Sequence, residues 1–136
     1  MATYSKFNSF VKALAEKVHN LGADTLTIAL SAVALVATNS VLADLTQISY
    51  TNLSARALTT ASSAQTSGTY KLVVNDLTLT ASGGAVASFR YISIYNDTAS
   101  NKELIGFYDY GSTVTMADGD QFVLDFDGTN GVIQIA

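Results

Sequence analysis

The chain has 136 residues, of which 49% are hydrophobic and 13% charged, with a formal net charge of −4. This length predicts a single domain over residues 1–136 with a core of its own. The acidic balance argues against general nucleic-acid binding, which needs a basic stripe, and the absence of Cys excludes disulfides and thiolate metal sites.

The charged share lies well below the typical ~25%. Two explanations stand side by side. Part of the surface is buried against another molecule, or the solvent faces of a β-rich domain use Thr, Ser and Asn in place of charge.

The first predicted element is an N-terminal helix within residues 1–22. Phe7, Phe10, Val11, Leu14 and Val18 recur at helical spacing and form one apolar stripe, with Lys6, Lys12, Glu16 and Lys17 off it. Asn20-Leu21-Gly22 reads as its stop, because Gly tolerates the left-handed conformation just past a helix. The stripe is expected to pack on the domain's own sheet, with a partner-binding helix as the alternative.

From residue 25 the pattern turns to β, so residues 23–136 are assigned to a β-sandwich. Residues 25–30 read as a strand. Residues 31–44 are Ala/Val-rich and ambiguous, with a break at Thr38-Asn39-Ser40 that caps a short helical turn. The apolar stretch 26–37 is too short to span a bilayer and is interrupted by Thr27 and Ser31, so no membrane span is expected. No targeting segment is read either, and the sequons at Asn52 and Asn96 are taken as chance matches.

Residues 50–60 hold at most one strand and 61–68 read as a flexible loop. Residues 70–81 alternate, with a phase shift at Asn75-Asp76 that marks a bulge or turn. After the turn Ser82-Gly83-Gly84 come strands at 89–95, 104–110, 113–116, 121–126 and 132–135. About eight short strands parted by Gly, Asn, Asp and Ser turns are the pattern of a sandwich, jelly-roll-like in this reading.

Chemistry-bearing residues are sparse. His19 is the sole imidazole and is expected to serve the negative end of the helix dipole, with no partner for catalysis in view. The chain therefore reads as non-enzymatic, with no cofactor. The run from Asp125 to Gly131 resembles a calcium loop only superficially, since Asn130 stands where such a loop needs Gly. Asp118, Asp120, Asp125 and Asp127 are read as turn residues, and no metal site is assigned.

Charge and tyrosine supply the candidate partner-binding residues. Lys6, Lys12 and Lys17 make one end basic, while no positive residue follows Lys102. Such opposed ends suit a homo-oligomer or a charged scaffold. Tyr91 and Tyr95 share one strand face, as do Tyr108 and Tyr110. Paired as a hairpin, these strands are expected to send their aliphatic residues to the core and the four Tyr rings to one outer surface. That surface suits a protein or sugar partner, or else is ordinary cross-strand packing on a solvated sheet.

Several segments resemble small virion proteins of tailed bacteriophages. They include Tyr4-Ser5-Lys6-Phe7, the run from His19 to Leu26, and Thr38-Asn39-Ser40-Val41-Leu42-Ala43-Asp44. Further ones are the run from Gln65 to Leu72, Phe89-Arg90-Tyr91 with Tyr95-Asn96-Asp97, and Asp118-Gly119-Asp120, Phe126-Asp127 and Asn130-Gly131-Val132. The resemblance covers nearly the whole chain. It implies a capsid cement or decoration protein on the capsid exterior, with the major capsid protein as partner. A tail or fibre component with a carbohydrate-binding sandwich is the alternative role.

Overall fold

The computed structural model describes residues 2–136. The protein is mainly β, and its strands form three antiparallel sheets. The largest has the order β1-β7-β6-β2, with β1 at Thr3–Lys6, β2 at Leu26–Ser31, β6 at Val86–Asn96 and β7 at Leu104–Met116. A second has the order β3-β4-β9, with β3 at Thr60–Thr66, β4 at Thr69–Val74 and β9 at Ile133–Ile135. The third pairs β5, Leu77–Thr80, with β8, Gln121–Leu124.

All three sheets contribute to one core. Ile28, Leu30, Ile92 and Ile94 from the large sheet meet Leu72 and Val74 from the second and Leu79 and Leu124 from the third. Burying a side chain of this size contributes roughly 1.5–3 kcal/mol. The opposite face of the large sheet is also covered. Phe7, Ala29, Tyr95, Leu104 and Phe107 form a second cluster there, and Leu35, Leu42 and Leu45 pack on it. The ambiguous segment after β2 is therefore a strap over the sheet, ending in a 3-10 turn at Leu42–Asp44. Every residue of β2 is consequently buried, Thr27 and Ser31 included, as expected of a strand covered on both faces.

The N-terminus departs from the expected helix. Residues Thr3–Lys6 form an edge strand on β7, with Tyr4 opposite Tyr108, and the helix α1 covers only Phe10–Ala15. Phe7 and Phe10 do not share a stripe. Phe7 enters the second cluster and Phe10 the main core. The helix stops early because Lys17 takes a left-handed φ of 69°, and residues 16–22 run on as turns that lead into β2. Val11, the expected stripe residue, is 54% exposed.

The segment read as a loop at 61–68 also departs. It is most of β3 and a two-residue turn, Ser67-Gly68, in which both residues have positive φ. That is the backbone of a tight hairpin whose twist matches its strands. No helix among the described residues is long and apolar enough to cross a membrane.

Candidate interaction surface

The tyrosines do not line one surface. In the β6–β7 ladder Ile92 lies opposite Tyr108, and Tyr91 lies opposite Asp109. Tyr108 therefore stands on the same sheet face as Ile92 and Ile94, over the main core. Tyr91 and Tyr95 stand on the other face, where Tyr95 is buried beside Phe7 and Phe107. The register shift between Ile94 and Tyr95 sets this offset. A bulge adds one residue to one strand, and every side chain beyond it changes face.

Tyr108 and Tyr110 instead help to build an aromatic groove. It holds about 300 Å³ and lies between β7 and β8, with Ile92, Phe122, Val123 and Phe126 among its walls. The rings are set by mutual contact. Tyr110 packs edge-on against Phe122 at 5.2 Å between centroids, and Phe122 packs edge-on against Phe89 at 5.6 Å. Tyr4 tilts against Tyr108 at 5.0 Å. Tyr110 is 40% exposed and Val123 54%, so the groove rim is apolar and open. Burial pushes the Tyr108 hydroxyl up to about 12, with smaller contributions from Tyr4 and Asp127.

The lysines ring α1. Lys6 borders a groove of about 490 Å³ between α1 and β9, walled by Phe10, Val11, Leu14, Ile133 and Ile135. Lys17 borders an adjoining cleft with His19, Asp24 and Tyr70. Lys12 is exposed and lies 3.8 Å from Glu16 on the next turn of the helix. An exposed pair of this kind is worth little, so Lys12 stays available to another charge.

His19 does not cap the helix. It lies beyond α1, is 5% exposed, and belongs to a polar cluster built around Asn96. Asn96 Oδ1 accepts from the Thr98 and Ala99 N–H groups at 3.0 and 3.2 Å. That fixes its amide orientation. Asn96 Nδ2 then donates to Asp24 Oδ2 at 2.6 Å and to His19 Nδ1 at 2.9 Å. His19 Nδ1 is the acceptor, so the ring proton of the neutral imidazole sits on Nε2. Burial pushes the imidazole below its usual value, against the opposing pull of Glu103 and Asp24.

The acidic turns are internally engaged. Asp127 accepts from Asn130 N at 2.8 Å, from Asn130 Nδ2 at 3.0 Å and from Thr129 N at 2.8 Å, which together hold its carboxyl below the usual range. Asp120 accepts from Ala117 N at 2.9 Å, and Asp118 from Gly83 N at 3.0 Å. The Asp127 and Asp120 bonds are local turn contacts of the kind Asp favours, whereas Asp118 ties its turn to the one at Gly83, 35 residues away.

Two further pairs carry no sequence signal beyond residue type. Arg90 donates two hydrogen bonds to Asp109, at 2.7 and 3.0 Å, on the half-exposed flank of β6 and β7. The Arg56 guanidinium lies 3.6 Å over the Tyr50 ring centre. Arg56 also bonds the Ile28 carbonyl, and Tyr50 Oη accepts from Leu30 N at 2.9 Å. Together they seal the outer edge of β2.

Comparison with protein-family models, with curated proteins and with solved structures found no match to this chain.

Proposed function

We propose that this chain is a non-enzymatic virion protein of a tailed bacteriophage, a cement or decoration protein that bridges major capsid protein subunits on the capsid exterior. The observation that carries the reading is the open aromatic groove of Tyr110, Phe122 and Val123 on a chain with only 13% charged residues. Apolar rims of this kind suit a protein partner. The sequence resemblance to phage virion proteins supplies the setting. In this reading the sheets form a jelly-roll-like sandwich, and the chain acts as a homo-oligomer or repeated array with no cofactor and no role in binding nucleic acid or membrane. Each copy stabilises the assembled shell over free subunits, because a ligand of one state stabilises that state.

The candidate contacts change with the structure. Tyr95 is buried and Tyr108 is half-buried in the groove floor, so Tyr110 and Val123 are the contacts proposed there. Lys6 and Lys12 remain orienting charges. Electron microscopy of intact particles tests the reading. Density for this chain across joints between capsid subunits supports it, and density confined to the tail rejects it.

The groove also favours a second reading, a tail or fibre component that binds carbohydrate. Sugars stack on exposed aromatic rings, and Asp125 at the rim offers hydrogen-bond acceptors. Binding to a glycan panel that is lost in Tyr110→Ala separates this reading from the first.

A further inference from the structure

We propose that β3 is a self-pairing edge through which two copies of this chain join their second sheets into one continuous sheet. Among the described residues β3 hydrogen-bonds only β4, and all seven of its residues are exposed. Its sequence, Thr-Ala-Ser-Ser-Ala-Gln-Thr, holds no charge and no Pro. Proteins ordinarily protect an open edge with Lys, Pro or a covering segment. The two edges of the large sheet follow that practice. β2 is covered by the segment around Arg56, with Ile28 N bonded to Arg56 O at 3.1 Å and Leu58 N to Leu26 O at 2.8 Å. β1 carries Lys6. Only a local register shift between Thr60 and Ser62 interrupts β3, and beyond it the strand is regular to its turn.

The hairpin fixes which groups face outward. Thr66 and Thr69 flank the two-residue turn and form a hydrogen-bonded pair, and such pairs alternate along the ladder. Ala64 therefore bonds Lys71, whereas Ser63 and Gln65 turn their backbone N–H and C=O groups away from β4. The Leu72 carbonyl agrees with this phase, since it bonds Val132 N at 2.9 Å on the β9 side.

The same alternation selects the occupant and its register. An antiparallel second copy satisfies the outward groups when Ser63 of each copy faces Gln65 of the other. The two-fold axis then passes between the two Ala64 residues, and Ser62 faces Thr66. Four backbone hydrogen bonds form across the joint, no like charges meet, and the smallest side chain of the central set sits where the strands approach most closely. The register centred on Ser63 would bring Gln65 against the irregular Ala61. The paired strand order becomes β9-β4-β3-β3-β4-β9. A joint of this size lies at the low end of specific interfaces, so the expected dissociation constant is on the order of 10 µM to 1 mM.

This pairing is a property of the isolated chain and does not depend on a virion. The natural chain has no Cys, so a single introduced thiol reports one position. Ala64→Cys occupies a non-hydrogen-bonded pair with its own copy, a spacing that suits a disulfide. We expect it to oxidise to a covalent dimer at least about tenfold faster than Thr78→Cys, an exposed position on β5, because pairing raises the local thiol concentration. Sedimentation of the natural chain should show mass rising towards a dimer across that concentration range. Ser63→Pro removes an outward N–H that β4 does not use, a place an edge strand tolerates Pro, and also the exposed Ser63 Oγ–Tyr70 Oη bond of 2.8 Å, so it should leave a folded monomer with a modestly lowered unfolding temperature. Equal oxidation rates for the two Cys variants, or a natural chain that stays monomeric at about 1 mM, would overturn the proposal. A folded Ser63→Pro variant that dimerises as the natural chain does would also overturn it and place the joint elsewhere.

Discussion

Tyr108 stands directly across the β6–β7 ladder from Ile92, with its ring against Tyr4 on one side and Phe126 on the other. The hydroxyl is thus carried on a ring that forms part of the core wall. Burial is the main cause that raises its pKa to about 12, whereas the unfolded value is near 10. A group with a raised folded value contributes stability that is fully present below about pH 10 and is lost as pH rises from there towards about 12. Urea midpoints measured from pH 9 to 11 should fall, and Tyr108→Phe should flatten the upper part of that fall. An identical alkaline profile in the variant would show that Tyr108 ionises as freely when folded as when unfolded.

Asn96 organises the other side of the molecule. Replacing it by Ala strands the Thr98 and Ala99 N–H groups and leaves Asp24 and His19 without their shared donor. Loss of a fully buried amide with four partners should cost about 3 kcal/mol. Urea unfolding of Asn96→Ala checks the figure, and a cost below about 1 kcal/mol would contradict the central role.

His19 adds a pH dependence to that cluster. Its pKa is lowered in the folded state, chiefly by burial and despite Glu103 and Asp24. The unfolded chain therefore binds a proton first as pH falls through about 6.5, and stability declines from there downward. His19→Gln keeps an acceptor for Asn96 but does not titrate. The decline between about pH 6.5 and 5 should shrink in that variant, as read from unfolding free energies at the two pH values.

The β character, most strand positions and the Asp turns were legible because they rest on local patterns. Phe122 and Leu124 alternate with exposed neighbours in β8 as the sequence predicts. The N-terminal helix was misread because Phe7, Phe10 and Leu14 satisfy helical spacing while serving two separate clusters. Helical periodicity does not distinguish one buried face from two short elements packed on different cores. The tyrosine patch failed for a related reason. Face assignment depends on register, and the shift beside Tyr95 has no sequence signature. The segment 61–68 looked like a loop because its residues are small and polar, whereas the turn geometry at Ser67-Gly68 and pairing to the more apolar β4 make it a strand. The Arg56–Tyr50 stack joins residues through the fold and leaves no local pattern at all.

Gly106 is required by Tyr4. The Tyr4 ring lies directly on the Gly106 backbone, and a side-chain carbon added there would collide with the ring and its hydroxyl. Among the described residues β1 pairs only with β7, so no other strand there holds it. Gly106→Ala should displace the Tyr4 ring and cost about 1–3 kcal/mol, the usual range for overpacking. Tyr4→Ala in the same chain should recover part of that loss, giving a non-additive double-mutant cycle. Additive costs would mean the ring and the glycine are not in contact in solution.

The last prediction separates apolar from charged contributions to assembly. The aromatic groove and the lysines around α1 are distinct surfaces: the groove is lined by Tyr110 and Val123, while Lys6 borders the α1–β9 groove. Exposed ion pairs are worth only about 0–1 kcal/mol each, and their main effect is on orientation and rate. Two half-exposed apolar side chains that become fully covered contribute on the order of 1–3 kcal/mol together. Replacing Tyr110 and Val123 together by Ser should therefore weaken binding to capsids by about tenfold or more, whereas replacing Lys6 and Lys12 by Ser should slow binding with a smaller change in affinity. Raising salt to about 0.5 M, where screening acts within about 4–5 Å, should mimic the lysine variant and leave most of the affinity in place. Co-sedimentation with purified particles, using variants whose thermal unfolding matches the natural chain, measures all three. If the lysine pair dominated and the Tyr110–Val123 pair had no effect, binding would be an electrostatic clamp at the α1 end, and the groove would have no part in it.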